Sequence, residues 1–307
     1  METKKNFYDK ETECELVFRE IGECWHLWTP ENFELIFTND EDFKAGMNII
    51  GICAKLFPDV KILSFELMTN HLHITASGSR PRVMELFEEI KGMLKRHFSA
   101  IGRTIDWKRF TLGLRNLENL NDVRNVIIYN NRNGFVISDL YTPFTYPWGA
   151  NRYFFNPDAC ELAGIKAIPM SVRERYRVAH SHCADKISGL MSFEGCALPT
   201  SFCDIKAAEY LFRGPSHYFH LLGKNIETNA KIAKEIGESI CYTDDELFAV
   251  ACRLSRDKFD TSAPSQIPVS AKQALARTLR YEYNASAKQL IRMLKIPREA
   301  LSAVGII

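Results

Sequence analysis

The stretch 61–76 constrains this chain most. Ile62, Leu63, Phe65 and Leu67 make an apolar run, Met68-Thr69-Asn70 reads as a tight turn, and 71–76 reads as the returning strand of a hairpin. Side chains alternate along a strand, so His71 and His73 share one face while Leu72 and Ile74 take the other. Two imidazoles two residues apart on a rigid ribbon can share one divalent ion. They can equally sit hydrogen-bonded inside a sheet, so the elements around the hairpin decide what the pair means.

Before the hairpin, two strand segments are expected, at 16–18 and 24–28. Thr38 with Glu41 forms a capping box that opens a helix to about Leu56, with Phe43, Met47, Ile50 and Ala54 on one face. After the hairpin, Gly78-Ser79-Arg80-Pro81 ends the strand and starts a helix striped by Val83, Leu86, Phe87, Ile90, Leu94 and Phe98. A short strand at 109–112 follows. A further helix, capped by Asn121 or Asp122, runs to Asn133 and is stopped by Gly134. This order predicts an antiparallel sheet with helices on one face, an α+β sandwich of ferredoxin type.

The text then changes to Pro, aromatic residues and Gly over 141–155, a segment expected to wrap around and close a first domain, 1–155. The remainder, 156–307, reads as a mostly helical second domain. Ser270 with Gln273 and Ser286 with Gln289 are capping boxes for helices at about 271–283 and 287–295, and a third follows Pro297. Three short helices with tight turns predict a helix-turn-helix module at 270–307.

Two domains suit 307 residues, and a net charge of +1 is silent about nucleic acid. Local charge is not silent. Between 80 and 132, eleven Lys/Arg stand against six Asp/Glu, and from 271 to the end seven stand against two. Such stripes neutralise phosphates or simply keep a helix face solvated. Lys91, Lys95, Arg96 and Arg132 in the first stripe, and Lys288, Arg292 and Lys295 beside Gln289 in the second, are the expected DNA contacts. The nine cysteines form no Cys-x-x-Cys pair, which argues against zinc knuckles and for reduced thiols in a cytoplasmic protein. The first ten residues hold no apolar signal core, and no run approaches the ~18 apolar residues of a membrane span.

Tyr129 and Asn133 lie four apart on the expected helix and therefore stack one turn apart. A phenol with its usual pKa near ~10 is a poor nucleophile unless a neighbouring cation polarises its target phosphate. Asn133 offers a carboxamide oxygen as a third ligand beside two imidazoles, a donor set for Mg²⁺ or Mn²⁺. An interior tyrosine and a helix-terminal asparagine account for the same residues without chemistry. His180 and His182 could suggest a second metal site, but 171–190 reads as helical, where residues two apart diverge; His217 and His220 read as helix packing. Trp25, Trp28 and Trp148 read as core side chains, although an indole can also stack on an unpaired base.

Met68-Thr69-Asn70-His71-Leu72-His73-Ile74 resembles the Met-Pro-Asn-His-Val-His-Leu signature of the REP-associated tyrosine transposases, single-tyrosine members of the HUH nuclease superfamily. Tyr129-Asn130-Asn131-Arg132-Asn133-Gly134 resembles their Tyr-Ile-x-x-Asn-Pro stretch, and Tyr146-Pro147-Trp148-Gly149 their Tyr-x-Trp-Ser. Trp25-His26-Leu27, Ile36-Phe37 and Asp40 with Asp42-Phe43 resemble the opening strand and first helix, so the likeness covers roughly 14–155 in order. It implies that His71, His73 and Asn133 hold a metal and that Tyr129 attacks a DNA phosphate, leaving a 5′-phosphotyrosine and a free 3′-hydroxyl. The implied partner is single-stranded or hairpin DNA, including repetitive palindromic elements, which makes the implied location nucleoid-associated, and the family acts as monomers and as homodimers. Thr69 and Gly134 replace prolines of the pattern, and Asn130 stands where Ile is usual. A second register, with Val126 at the tyrosine position and Asn130 at the asparagine position, implies a catalytically silent DNA-binding regulator or architectural protein. The register with Tyr129 keeps both functional residues.

Overall fold

The computed structural model describes residues 2–31, 33–136, 141–142, 144–235, 244–261, 263–283, 285, 287–303 and 305–306. Its first half runs α1 (Glu2–Ile21), β1 (Cys24–Trp28), α2 (Asp40–Leu56), β2 (Lys61–Leu67), β3 (Leu72–Ser77), α3 (Arg80–Ala100), β4 (Gly113–Leu117) and α4 (Leu120–Val136). The four strands form one sheet in the order β2-β3-β1-β4, antiparallel at every pairing. The architecture is α+β.

Register sorts the side chains. Glu66 pairs with His73 and Ser64 with Thr75 across the hairpin, while Trp28 and His26 lie opposite the same two β3 residues from the other side. Gly113 and Arg115 extend those rows onto β4. One face of the sheet therefore carries Ser64, Glu66, His73, Thr75, His26, Trp28 and Arg115. The other carries Phe65, Leu67, Leu72, Ile74 and Leu27, all fully buried. α2 and α3 cover this apolar face. Gly46 lets α2 lie close, because a Cβ there would come 2.9 Å from Leu67 Cδ1. α4 lies across the polar face, so helices cover both faces of the sheet and not one as expected: the Asn130 and Asn131 bonds to Thr75 and Ser64 give the polar face a helical partner too.

Several local expectations need correction. Residues 16–18 belong to α1 and not to a strand: Cys14, Val17, Phe18 and Ile21 recur at helical spacing and pack on the core. The cap of α2 is Asn39, whose side chain accepts from Asp42 N at 3.0 Å, while Asp42 binds Thr38 and Arg103. The fourth strand lies at 113–117, because 105–111 is taken up by turns such as Arg109 N to Asp106 O. α4 starts at least two residues early, with Asn119 accepting from Asp122 N, and runs through Gly134 to Val136.

Part of the 141–155 segment lies along the sheet edge. Leu67 N donates to Trp148 O and Ala150 N to Phe65 O, so 148–150 closes the β2 edge, with Trp148 stacked on Phe43. Beyond it come α5 (Pro157–Lys166), α6 (Val172–Ala179), α7 (Ile205–Tyr210), α8 (Pro215–Glu235), α9 (Asp244–Phe259), α10 (Val269–Glu282), α11 (Ala287–Leu294) and α12 (Arg298–Ser302). A small sheet of β5 (Ile168–Pro169), β6 (Met191–Phe193) and β7 (Cys196–Ala197) interrupts the helical half. The three terminal helices fall where expected, but Ser270 lies inside α10 behind Pro268. Ser286 is outside the described residues.

Among the described residues, one apolar core runs from Cys14 to Leu222, straight across position 155. A second gathers Leu247 to Ile306 from α9–α12 and takes one residue, Leu35, from the first half. The break between cores thus falls between 222 and 247. No described helix is long and apolar enough to cross a membrane, and no described cysteine is in a disulfide.

Candidate active site

The turn Met68-Thr69-Asn70 does more than reverse the chain. Asn70 Nδ2 donates to the carbonyls of Glu31 and Phe33, and Thr69 O accepts from Ile36 N and Phe37 N, both at 2.8 Å. The loop after β1 is thereby strapped to the hairpin tip. It delivers Glu31 beside the paired histidines: donor atoms of Glu31, His71 and His73 all lie within 4.8 Å of one another.

Each imidazole is held by a neighbour. His71 Nδ1 meets Asn70 Oδ1 at 2.7 Å, which places its proton on Nδ1 and leaves Nε2 with a lone pair. His73 Nδ1 meets His26 Nε2 at 3.3 Å, and His73 Nε2 is buried with no hydrogen-bond partner among the described residues. Burial pushes His71 down to about 3 and His26 down to about 4, with Arg115 adding to the second. His73 falls well below its ordinary value for the same reason, reinforced by the other two rings. All three are therefore neutral at neutral pH, as metal ligation requires. Two imidazoles, one of them with an orphaned buried nitrogen, and a carboxylate fit a divalent cation.

α4 brings the phenol to this face. The Tyr129 ring stands edge-on to His73, centroids 5.3 Å apart, and also approaches His26 at 6.3 Å. Its hydroxyl donates to Glu31 Oε1 at 3.3 Å, and the Arg132 guanidinium lies 5.0 Å over its ring. Burial first and the Glu31 charge second push Tyr129 up to about 12, Arg132 opposing them. The phenol is thus protonated at neutral pH. Asn133 is buried one turn further along α4.

Neighbouring asparagines fix the helix to the sheet. Asn130 Nδ2 donates to Thr75 Oγ1, and Ser64 Oγ to Asn131 Oδ1. Asn131 Nδ2 donates to the Tyr218 hydroxyl, which donates to Asn151. Asn130 therefore has a structural partner on β3, and Val126 sits in the core, whereas Tyr129 faces the histidines.

The expected DNA contacts are scattered. Lys91, Lys95 and Arg96 ride on α3, on the far face of the sheet from Tyr129. Arg96 is committed to Glu89 and to Ala179 O. Lys288 and Lys295 are exposed and Gln289 and Arg292 half-buried. Lys295 lies past the end of α11 with φ 47°, so it does not share a helix face with Lys288 and Arg292. His180 and His182 turn to His97 and Asp185. Glu31 and His26 were missed as site residues. Glu31 carries no motif of its own, whereas His26, alternating with core residues on an opening strand, was a readable signal.

Comparison with protein-family models, with curated proteins and with solved structures finds no match for this chain.

Proposed function

We propose that the chain is a metal-assisted nuclease and strand transferase acting on single-stranded or hairpin DNA, of the single-tyrosine HUH type that its motifs resemble. The observation that carries the reading is the meeting of the Tyr129 hydroxyl with Glu31 on the face where the His71 and His73 donors converge. The element order β-α-β-β-α-β from β1 to β4 and the strand order β2-β3-β1-β4 support a ferredoxin-like HUH domain. Glu31, His71 and His73 would hold the cation, with Asn133 as a further oxygen donor. Imidazole donors favour Mn²⁺ over Mg²⁺. When bound, the cation supplies charge to polarise a phosphoryl oxygen.

The residues themselves set out the chemistry. The Tyr129 oxygen attacks phosphorus, its proton leaves toward the Glu31 carboxylate, and the bond to the 3′-oxygen breaks, that oxygen taking a proton from solvent, which leaves a 5′-phosphotyrosine and a 3′-hydroxyl. Attack by a 3′-hydroxyl on that linkage reverses the step and rejoins strands. The Glu31 carboxylate, within hydrogen-bond distance of the hydroxyl, is the positioned acceptor for the phenol proton. Arg132, over the ring, favours the developing phenolate.

Hairpin DNA with a single-stranded flank and Mn²⁺ tests the reading. The wild type is expected to form a denaturation-resistant adduct that Tyr129→Phe lacks. Normal cleavage by Tyr129→Phe overturns the nucleophile. Tight binding by the wild type without cleavage would instead fit the silent DNA-binding alternative.

A further inference from the structure

Of the four tryptophans, three sit in or against the large core: Trp25 and Trp107 are buried in it, and Trp148 packs on it. Trp28 belongs to no apolar cluster among the described residues, although it is only half-buried and stands on a central strand. Its indole N–H makes no hydrogen bond there, unlike that of Trp25, which donates to Gly78 O. Its indole instead lies flat over the backbone of Gly113 on β4. A Cβ at 113 would fall 2.2 Å from Cε2 and 2.6 Å from Nε1. A strand glycine of this kind marks a close approach that any side chain would block.

The position of this indole ties it to the candidate site. Trp28 is the direct cross-strand neighbour of His73, and its ring lies 4.9 Å from that of His26. Rings thus run from Tyr129 through His73 and His26 to Trp28, ending in a half-exposed aromatic surface. Arg115 stands two residues beyond Gly113 on the same face, its side chain 57% exposed and only 3.8 Å-paired with Asp122. An aromatic plane beside an available guanidinium suits one nucleotide: the plane takes the base, the guanidinium its phosphate.

We propose that Trp28, propped by Gly113, is a stacking shelf for an unpaired DNA base adjoining the cleaved phosphate, with Arg115 contacting that nucleotide's phosphate. The identity of the ligand rests on the nuclease reading above. The shelf itself is a binding element, readable without metal or cleavage.

The test uses the full chain, without metal, and a DNA hairpin, which fixes the register, carrying a single-stranded flank of about 12 thymidylates, on the order of one single-strand site. Trp28→Ala is expected to weaken binding by about tenfold or more, and Trp28→Phe to recover most of it. Gly113→Ala, which displaces the indole without removing it, should reproduce the loss. Abasic nucleotides placed singly along the strand should weaken wild-type binding at one position and leave Trp28→Ala indifferent there. Binding by Trp28→Ala within twofold of wild type, or the absence of any abasic-sensitive position, overturns the shelf. Neither result touches the Tyr129 adduct, so the shelf and the nuclease reading fail separately.

Discussion

His26 shows how a residue without its own ligand role governs one that has it. Its Nε2 faces His73 Nδ1, and this contact settles which nitrogen of His73 is turned toward Glu31 and His71. Outer partners of this kind typically change metal affinity by about 10- to 100-fold when removed. His26→Ala is therefore expected to weaken Mn²⁺ binding by that factor in calorimetric titration, with Glu31→Gln at least as damaging. Unchanged affinity in both would remove the cation from this site. At this scale the sequence was legible where roles follow a short period: His71 with His73 by the strand alternation, Tyr129 with Asn133 by the helical turn. Glu31 was not legible, since a loop acid gains its meaning only from the strap that Asn70 and Thr69 throw around it.

α4 is the element that must not move, because it carries Tyr129. Arg124 anchors its first half: the guanidinium donates to Leu211 O at 2.6 Å and pairs with Glu11 of α1, which also binds Arg213. His217 joins this knot by accepting from Arg213 N. Burial first, then the two arginines, hold His217 down to about 4. The folded state thus binds its proton less well than the unfolded chain does. Its stabilisation is complete above the ordinary histidine value of about 6.5 and is lost as pH falls from there toward 4. Glu11, held below the usual carboxylate range chiefly by its bond to Arg124, adds a second loss at lower pH, below about 4.3. Urea unfolding midpoints should fall across both windows on acidification. His26, His71 and His73 share the upper window, so His217→Gln should make it shallower and leave the lower, and an unchanged slope would exclude His217 as a contributor. The anchor is hidden from sequence because 16–18, inside α1, reads as a strand: three adjacent apolar residues outweigh the wider spacing of Cys14, Val17, Phe18 and Ile21.

The whole molecule is joined at Leu35. This residue follows Glu31 in the strapped loop, is 3% exposed, and sits in the core formed by α9–α12, while Arg103 holds its carbonyl. Leu35→Ala is expected to cost about 3 kcal/mol, as buried leucine truncations do. It should show in urea unfolding and loosen the Glu31 loop, seen as weaker Mn²⁺ binding. Loss of stability with metal affinity intact would uncouple the two. The same packing dictates how the basic tail should be tested. Cutting at 270 would strip α10–α12 from Leu247, Phe248 and Ala251, so neutralising the exposed Lys288 and Lys295 is cleaner. Lys288→Gln with Lys295→Gln should lower the salt slope of DNA binding by about 2. An unaltered slope would take the tail out of the interface.

Sequence alone determined what repeats locally: the hairpin with its paired histidines, the stripes of α2 and α3, the closing segment at 148–150, and three short helices at the end. The hairpin and the stripes are written in periods of two and 3.6 residues that burial against an apolar partner enforces; the closing segment and the terminal helices are written in local punctuation, proline, glycine and polar caps. The tertiary structure decided what depends on register and on crossings between distant segments. Antiparallel pairing put His26 and Trp28 beside His73, a bulge between Ile62 and Ser64 aligned Glu66 with the same row, and α4 crossed the polar face with Tyr129 toward it. It also moved the break between cores past 222 and set Glu31 against the paired histidines. Those contacts span tens of residues, and no local period encodes them. The paired histidines were visible as a motif, but only the fold supplied their company.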